Sequence, residues 1–440
     1  MRREARDILQ QLIEINTTHA KGSTTPAARA LADRFTSAGF PAHDVSILGQ
    51  TESANRNLVV RYRGRGGKKP LLLIAHLDVV EALPQDWTTD PFKLVEKDGY
   101  FYGRGTSDNK GGAATLVSAA LRLKREKFVP DRDLILAFTA GEESGGDYNG
   151  IEWLIKNFPE VTTAEYCINV DAGEPQLVKG TMRTRTVQVA EKVSLTFALD
   201  VKNPGGHSSL PVPENAIYRL ADGLRRVATL KFPARLSELT QTYFTRSAAL
   251  ETGPLAADLK AAGLPNAPAE VLARLSASPF YNAMLRTTCV ATMLEAGHAI
   301  NALPQRARAV VNCRMHPLDP PDSVEAALRR AVADSLIAIS RLTKPYASPP
   351  SALNPGLMSA IEAVSAGATP GVPVIPYMEM GGTDSRFLRN AGISSYGVSG
   401  IPGDVDDVRA HGKDERILVS SYYQGAEFVY RLMKQVAGGG

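Results

Sequence analysis

Cysteine is scarce in this 440-residue chain: Cys167, Cys289 and Cys313 are widely spaced, with no CxxC pair. Such usage gives no expectation of a disulfide framework or a cysteine-based zinc site. Long apolar runs are also missing. No stretch reaches the ~18 apolar residues that a membrane-spanning helix needs, so no span is expected. Charge of one sign is weak too, with a net of +4. No Lys/Arg patch interleaved with aromatics occurs, which argues against nucleic acid as a partner. The most basic run, RYRGRGGKKP (Arg61 to Pro70), reads as a solvated loop between strands. Repeats and low-complexity segments are absent. The opening MRREARDILQQLIEI reads as an amphipathic helix and not as a signal peptide. A cytoplasmic location is expected, or a periplasmic or secreted one if an export signal has been removed.

What remains is an ordinary globular composition, 44% apolar and 22% charged, on a chain long enough for two domains. Helical periodicity runs through residues 4–15 and through Pro26 to Phe40, and again from about Gly111 to Lys127. Between and after them lie the β-rich segments NLVVRYR, PLLLIAH, DLILAFTA and YCINVD. Strands separated by helices predict an α/β layer with a mostly parallel central sheet. Near Arg185 the texture changes: VSLTFALDV alternates like a half-exposed strand, and ENAIYRLADGLRRVATL reads as an amphipathic helix. Residues 232–285 read as helical pieces, ARAVVNCRMHP as a strand, and long helices resume from about Pro321. The expected organisation is a catalytic α/β domain (1–185 and 318–440) interrupted by an inserted α/β domain (186–317).

Ligands in open α/β sheets bind beyond the carboxyl ends of strands, and ionisable residues recur at such points here. LLLIAHLDVV ends an apolar strand with His76 and Asp78, two residues apart and therefore on one face. YGRGTSDNKGG sets Asp108 in a Gly-rich turn before a helix. AFTAGEESGG ends a strand with Glu142 and Glu143, CINVDAGE ends another with Asp171, and VRAHGKDER supplies His411. Singly, each has a plain reading: a helix N-cap for Asp108, a solvated turn for the Glu pair, a satisfied polar residue for either His. Together, two His and several carboxylates at strand ends suit a pair of divalent cations, with donors typical of zinc. Two metals about 3.5–4 Å apart need a bridging carboxylate and a general base that stays off them. Asp78 suits an acceptor that orients the His76 imidazole.

In order and spacing these blocks resemble the metal-site blocks of the M20 family of zinc metallopeptidases, which includes carboxypeptidases, dipeptidases and aminoacylases. The resemblance extends through NPGGHSSLP, GHAINALPQRARAVVNCRMHP and MGGTDSRFLRNAGI, and so covers nearly the whole chain. It looks most like the carboxypeptidase S and aminoacylase branch. It implies a zinc-exopeptidase-like catalytic domain with two Zn2+ per subunit, for which Co2+ or Mn2+ can substitute. His76 and Asp171 would hold one metal, His411 and Glu143 the other, and Asp108 would bridge them. Glu142 would be the general base and acid, and Asp78 would orient His76.

The inserted domain resembles the family's lid and dimerisation domain, which implies a homodimer. His207 matches the imidazole that steadies the oxyanion, Asn301 and Arg314 match the pair that holds a substrate carboxylate, and Gly382, Thr383 and Asp384 lie in the loop that closes the substrate pocket. Two departures stand out. Asp171 replaces a Glu frequent in carboxypeptidase-like members, which leaves the exopeptidase direction open and raises Glu174 as a substitute ligand. Gly141 stands where many relatives carry Asp. The expected activity is hydrolysis of an amide or peptide bond in dipeptides or short peptides bearing a free carboxylate. The alternatives are an N-acyl-amino-acid deacylase on the same machinery and a catalytically silent peptide-binding protein.

Overall fold

A computed structural model describes residues 2–50, 55–143 and 148–438. Ser144 to Gly146, the end of the TAGEESGG block, lie outside the described residues. The chain divides into two compact units, Met1–Val189 with Ser351–Tyr377 and Thr383–Gly440, and Ala190–Pro350 with Met378–Gly382.

The first unit is built on a ten-stranded sheet. Its spatial order is Val45–Leu48, Asn57–Tyr62, Leu134–Thr139, Leu71–His76, Cys167–Asn169, Ser395–Gly397, Thr181–Glu191, Pro175–Val178 and Gly403–Asp404, with Val374–Glu379 also against Thr181–Glu191. The four central strands, from Leu134–Thr139 to Ser395–Gly397, run parallel. Leu71–His76 and Leu134–Thr139 are buried along their whole length. Their unbroken apolar runs are therefore those of a sheet covered on both faces. Helix Lys110–Arg125 lies against Leu71–His76 and packs on helices Arg2–Ile13 and Val419–Ala437. Its run of Ala and Leu suits both helix propensity and close packing.

The second unit holds an antiparallel sheet in the order Thr288–Ala296, Arg306–Met315, Val193–Lys202, Ile337–Arg341. Val193, Leu195, Phe197, Leu199 and Val201 alternate along one strand into a single core. Helices Ala216–Ala228 and Pro321–Val332 contribute Leu220, Val227, Val324 and Leu328 to that core. Residues 232–285 form four short helices, Glu238–Ala248, Gly253–Ala262, Ala269–Leu275 and Pro279–Leu285, around a second cluster centred on Phe244.

Two expectations need correction. The return to the first unit was placed at 318, but residues 318–350 belong to the second, because Ile337–Arg341 pairs with Val193–Lys202. A strand of five residues inside a mostly helical stretch leaves little periodic signal. The cysteines are also not all isolated. Cys289 and Cys313 face each other across Thr288–Ala296 and Arg306–Met315 and are disulfide-bonded, while Cys167 is free and buried. A sequence separation of 24 conceals a register that only strand pairing reveals.

Candidate metal centre

His76 is the last residue of its strand and 2% exposed. Its Nε2 lies 3.0 Å from Asp108 Oδ1 and 3.2 Å from Asp171 Oδ1. The other oxygen of Asp108, Oδ2, lies 3.0 Å from His411 Nε2, which is also 2.8 Å from Glu143 Oε1. Asp108 thus stands between two imidazoles, one oxygen toward each. Three sets of donor atoms converge within 4.8 Å: His76 with Asp108 and Asp171, Asp108 with Glu143 and His411, and His76 with Glu142 and Glu143. All five residues expected as ligands, and Glu142, fall in these sets. Glu174, raised above as a substitute, is exposed and in none of them.

The electrostatics are those of a carboxylate cluster short of positive charge. Burial pushes the Asp171 carboxyl up to about 7 against the pull of His76, with Asp108 and Glu143 adding repulsion. Burial likewise raises Glu142 well above the carboxylate range, reinforced by the charges of Asp171, Asp384 and Glu143 against His76. Asp108 goes the other way: burial opposes, but hydrogen bonds to His411 and His76 hold it below the ordinary value. His411 is raised to about 10, first by its hydrogen bond to Asp108 and then by that to Glu143. Four carboxylates against two imidazoles, with N and O donors only, is a donor set that fits divalent cations such as zinc.

The loops that present these groups are pinned through their backbones. Asp78 Oδ1 accepts from Gly141 N at 2.8 Å and Glu142 N at 3.3 Å, and Oδ2 accepts from Glu143 N at 2.9 Å. This corrects the expected role of Asp78. The group at His76 Nδ1 is the backbone carbonyl of Asp78, at 2.9 Å, while its carboxylate oxygen is 3.9 Å away. The carboxylate is spent on the turn carrying Glu142 and Glu143, and the main chain orients the imidazole. Gly141 opens that turn at φ +80°, a left-handed conformation that glycine adopts without steric cost. Ala140 N donates to Asn57 Oδ1 at 2.9 Å, which fixes the strand end from the other side.

Glu415 is the residue that the sequence pattern missed. It is fully buried and salt-bridged to Arg104 at 2.6 Å. Its Oε1 also accepts from Ser107 N, Ser107 Oγ and Asp108 N at 2.8, 2.9 and 3.1 Å. Arg104 in turn donates to the carbonyl of Gly412 at 2.8 Å. One buried ion pair therefore ties the Asp108 loop to the His411 loop. The KDER of VRAHGKDER was visible, but a carboxylate that serves backbone N–H groups has no ligand spacing to betray it. Asp108 is also not the helix cap that its position allowed, since Asn109 precedes the helix at that place.

Asp384, expected in the substrate loop, is 2% exposed. Both its oxygens are engaged, by Thr139 Oγ1 at 2.7 Å and Asn149 Nδ2 at 2.6 Å. Its side chain braces the end of Leu134–Thr139 and does not face solvent. Thr383 is buried beside it, and Gly382 closes the short segment Met378–Gly382 of the second unit.

His207, Asn301 and Arg314 belong to the second unit. His207 pairs with Ala302 in a two-stranded ribbon, and Ser208 N donates to Asn301 O at 3.1 Å, so His207 and Asn301 are brought together. Ser209 N donates to His207 Nδ1 at 3.2 Å, which leaves Nε2 of the exposed ring to carry the proton in the neutral form. Arg314 is exposed on Arg306–Met315, opposite Ser194 and Thr288.

Known proteins are similar to this chain over most of its length. The profile of peptidase family M20/M25/M40 matches residues 72–435. A probable carboxypeptidase S-like 2 of Dictyostelium discoideum is 29% identical over 393 residues, covering 87% of this chain and 74% of that protein. The N-fatty-acyl-amino acid synthase/hydrolase PM20D1 of Xenopus tropicalis is 30% identical over 377 residues, 83% of this chain and 72% of that one. Among solved structures, the M20 family metallo-carboxypeptidase Sso-CP2 of Sulfolobus solfataricus shares the fold at a TM-score of 0.76 and 19% identity, over 99% of both chains. With a profile match over most of its length and an α/β sheet that gathers these donors, the chain belongs to peptidase family M20/M25/M40 and is an M20-type hydrolase of peptide or linear amide bonds.

Proposed function

We propose that this protein hydrolyses the amide bond of dipeptides or short peptides with a free carboxylate, at a centre holding two Zn2+ ions, with Co2+ or Mn2+ as substitutes. The observation that carries the reading is Asp108, whose two oxygens face His76 and His411 separately. His76 and Asp171 would hold one cation, and His411 and Glu143 the other. When bound, such a pair supplies Lewis acidity and lowers the pKa of water.

The chain's own groups do the rest. Glu142 is half-buried beside the donors, and its raised proton affinity suits a group that must take a proton and return it. It removes a proton from the attacking water and delivers it to the leaving nitrogen as the C–N bond breaks. The Asp78 carboxylate keeps Glu142 in place through three backbone N–H groups. To His207 Nε2 the reading assigns a hydrogen bond to the developing oxyanion, and to Arg314 and Asn301 the substrate carboxylate. The exposed edge strand Thr288–Ala296, with Val290, Met293 and Leu294 in solvent, supports a homodimer through the second unit.

A second reading, deacylation of N-acyl amino acids, is favoured by a cavity beside the centre. Tyr100, Ile401, Val408 and Ile417 line it, together with Ser107 and Ala410, the neighbours of Asp108 and His411. Asp404, Asp407, Arg409 and Arg416 also border it, so the apolar wall it offers an acyl chain is one part of a mixed lining. The name of the Xenopus relative points the same way. Assay of X-Leu dipeptides against N-acyl-leucines decides between the two: a clear preference for the acyl compounds rejects the peptidase reading. The shared core is tested by Glu142→Ala, expected to bind both metals and lose hydrolysis. Retained activity refutes the assigned base.

A further inference from the structure

Arg185 is the anomaly of the first unit. Its side chain is 2% exposed, yet Nε and Nη1 have no hydrogen-bond partner among the described residues. Every other arginine so deeply buried in this region has an anion or carbonyl to hold, as Arg104 has Glu415. For Arg185 burial alone acts on the guanidinium and pulls it down to about 10. Among the described residues its close contact is the ring of Phe428, 3.7 Å from the guanidinium carbon. A phenyl ring covers one face of the guanidinium and leaves the N–H edge free. Arginine stays charged in such a site, and a buried charge without an anion is unfavourable.

The surroundings explain what the edge is for. Arg185 lines a groove of about 880 Å³ together with Arg2, Arg431, Thr369, Ser420 and Gln424. The one carboxylate lining it is Glu427, which already accepts from Arg122 Nη1 and Arg431 Nε, each at 2.7 Å. That carboxylate is thus committed to Arg431 and Arg122, while Arg185 keeps Nε and Nη1 without a partner among the described residues. The groove shares no residue with the metal-centre donors. We infer that it is a binding site for a small oxyanion, the carboxylate or phosphate group of a metabolite, received by Arg185 with Arg431 beside it. This site is independent of the proposed hydrolysis.

The test is thermal unfolding of the full chain in sodium phosphate, in sodium succinate and in sodium chloride at equal ionic strength. Phosphate, succinate or both are expected to raise the Tm above the chloride value in a saturable way, and the arm that does so identifies the ligand chemistry. In Arg185→Met the half-saturating concentration should rise at least tenfold, while the Tm in chloride stays equal or increases. An anion held at the metal centre would respond equally in Arg185→Met, and that outcome overturns the proposal. So does a wild type that gains nothing over chloride. Gln424→Glu gives a second reading from an exposed position one helical turn from Phe428. Its carboxylate should occupy the site, raise the Tm in chloride and abolish the oxyanion response, and an undiminished response there also overturns the assignment.

Discussion

Glu415 Oε1 accepts a hydrogen bond from the backbone N–H of Asp108 at 3.1 Å, while its Oε2 pairs with Arg104 at 2.6 Å. A residue four positions after His411 therefore sets the position of the carboxylate that stands between the two imidazoles. Replacing it by glutamine leaves Arg104 buried without its anion, a loss of about 3–5 kcal/mol when one partner of such a pair is removed. Glu415→Gln should also weaken metal binding by roughly 10–100-fold, as removal of groups that orient ligands does. Urea denaturation and metal competition measure the two effects, and unchanged affinity would show that the Asp108 loop holds itself.

Asp78 offers a sharper discrimination. Because the carbonyl of Asp78 and not its carboxylate meets His76, Asp78→Asn should retain the metals. The loss should fall on kcat, by roughly 100-fold, through displacement of the turn that carries Glu142. Metal analysis alongside kinetics reads both, and metal loss equal to the activity loss would return the carboxylate to the imidazole.

Chelation should destabilise the protein strongly. Four carboxylates converge with two imidazoles, and bound cations offset the burial that, with the charges of Asp108 and Glu143, raises Asp171 to about 7. Metal at 1,000 times its Kd contributes about 4 kcal/mol by linkage. The Tm should fall on EDTA treatment and recover on addition of Zn2+, and an unchanged Tm would refute metal binding at this cluster.

His316 gives the second unit a pH dependence of its own. Burial, chiefly, lowers it to about 4, with Asp319 opposing and Lys192 and Arg235 adding to the shift. Between about 4 and 6.5 the unfolded chain binds a proton that the folded one does not. Stability therefore falls as pH drops through that window, by at most about 1.4 kcal/mol per pH unit. His316→Asn should remove this component. Denaturation of both proteins at pH 7 and pH 5 checks it, and a difference that does not change with pH rejects it.

Three of the donors were legible because chemistry and position coincide: His76, Glu143 and Asp171 are ionisable groups just where apolar runs stop. Asp108 and His411 stand in loops, and their places in a ligand set followed from the family resemblance. The roles of the hydrogen-bond acceptors behind them were not legible, although Asp78 and Asp384 were named. Asp78, Glu415 and Asp384 act on backbone amides, a hydroxyl or a side-chain amide, and such partners leave no spacing in a sequence. Pairing across a sheet was equally hidden. Ile337–Arg341 is too short to display a period, and Cys289 meets Cys313 only through the register of two strands.

The central sheet also dictates an order of events during synthesis. Ser395–Gly397 lies between Cys167–Asn169 and Thr181–Glu191, so nearly the whole chain must leave the ribosome before that slot is filled. Ala190–Pro350 is contiguous and emerges entire beforehand. Until Ser395–Gly397 arrives, Cys167–Asn169 presents an open parallel edge, the kind of surface that recruits foreign strands. Translation pauses or truncations shortly before residue 395 are thus the condition under which this chain is most exposed to misassembly, and His411 follows only after that danger has passed.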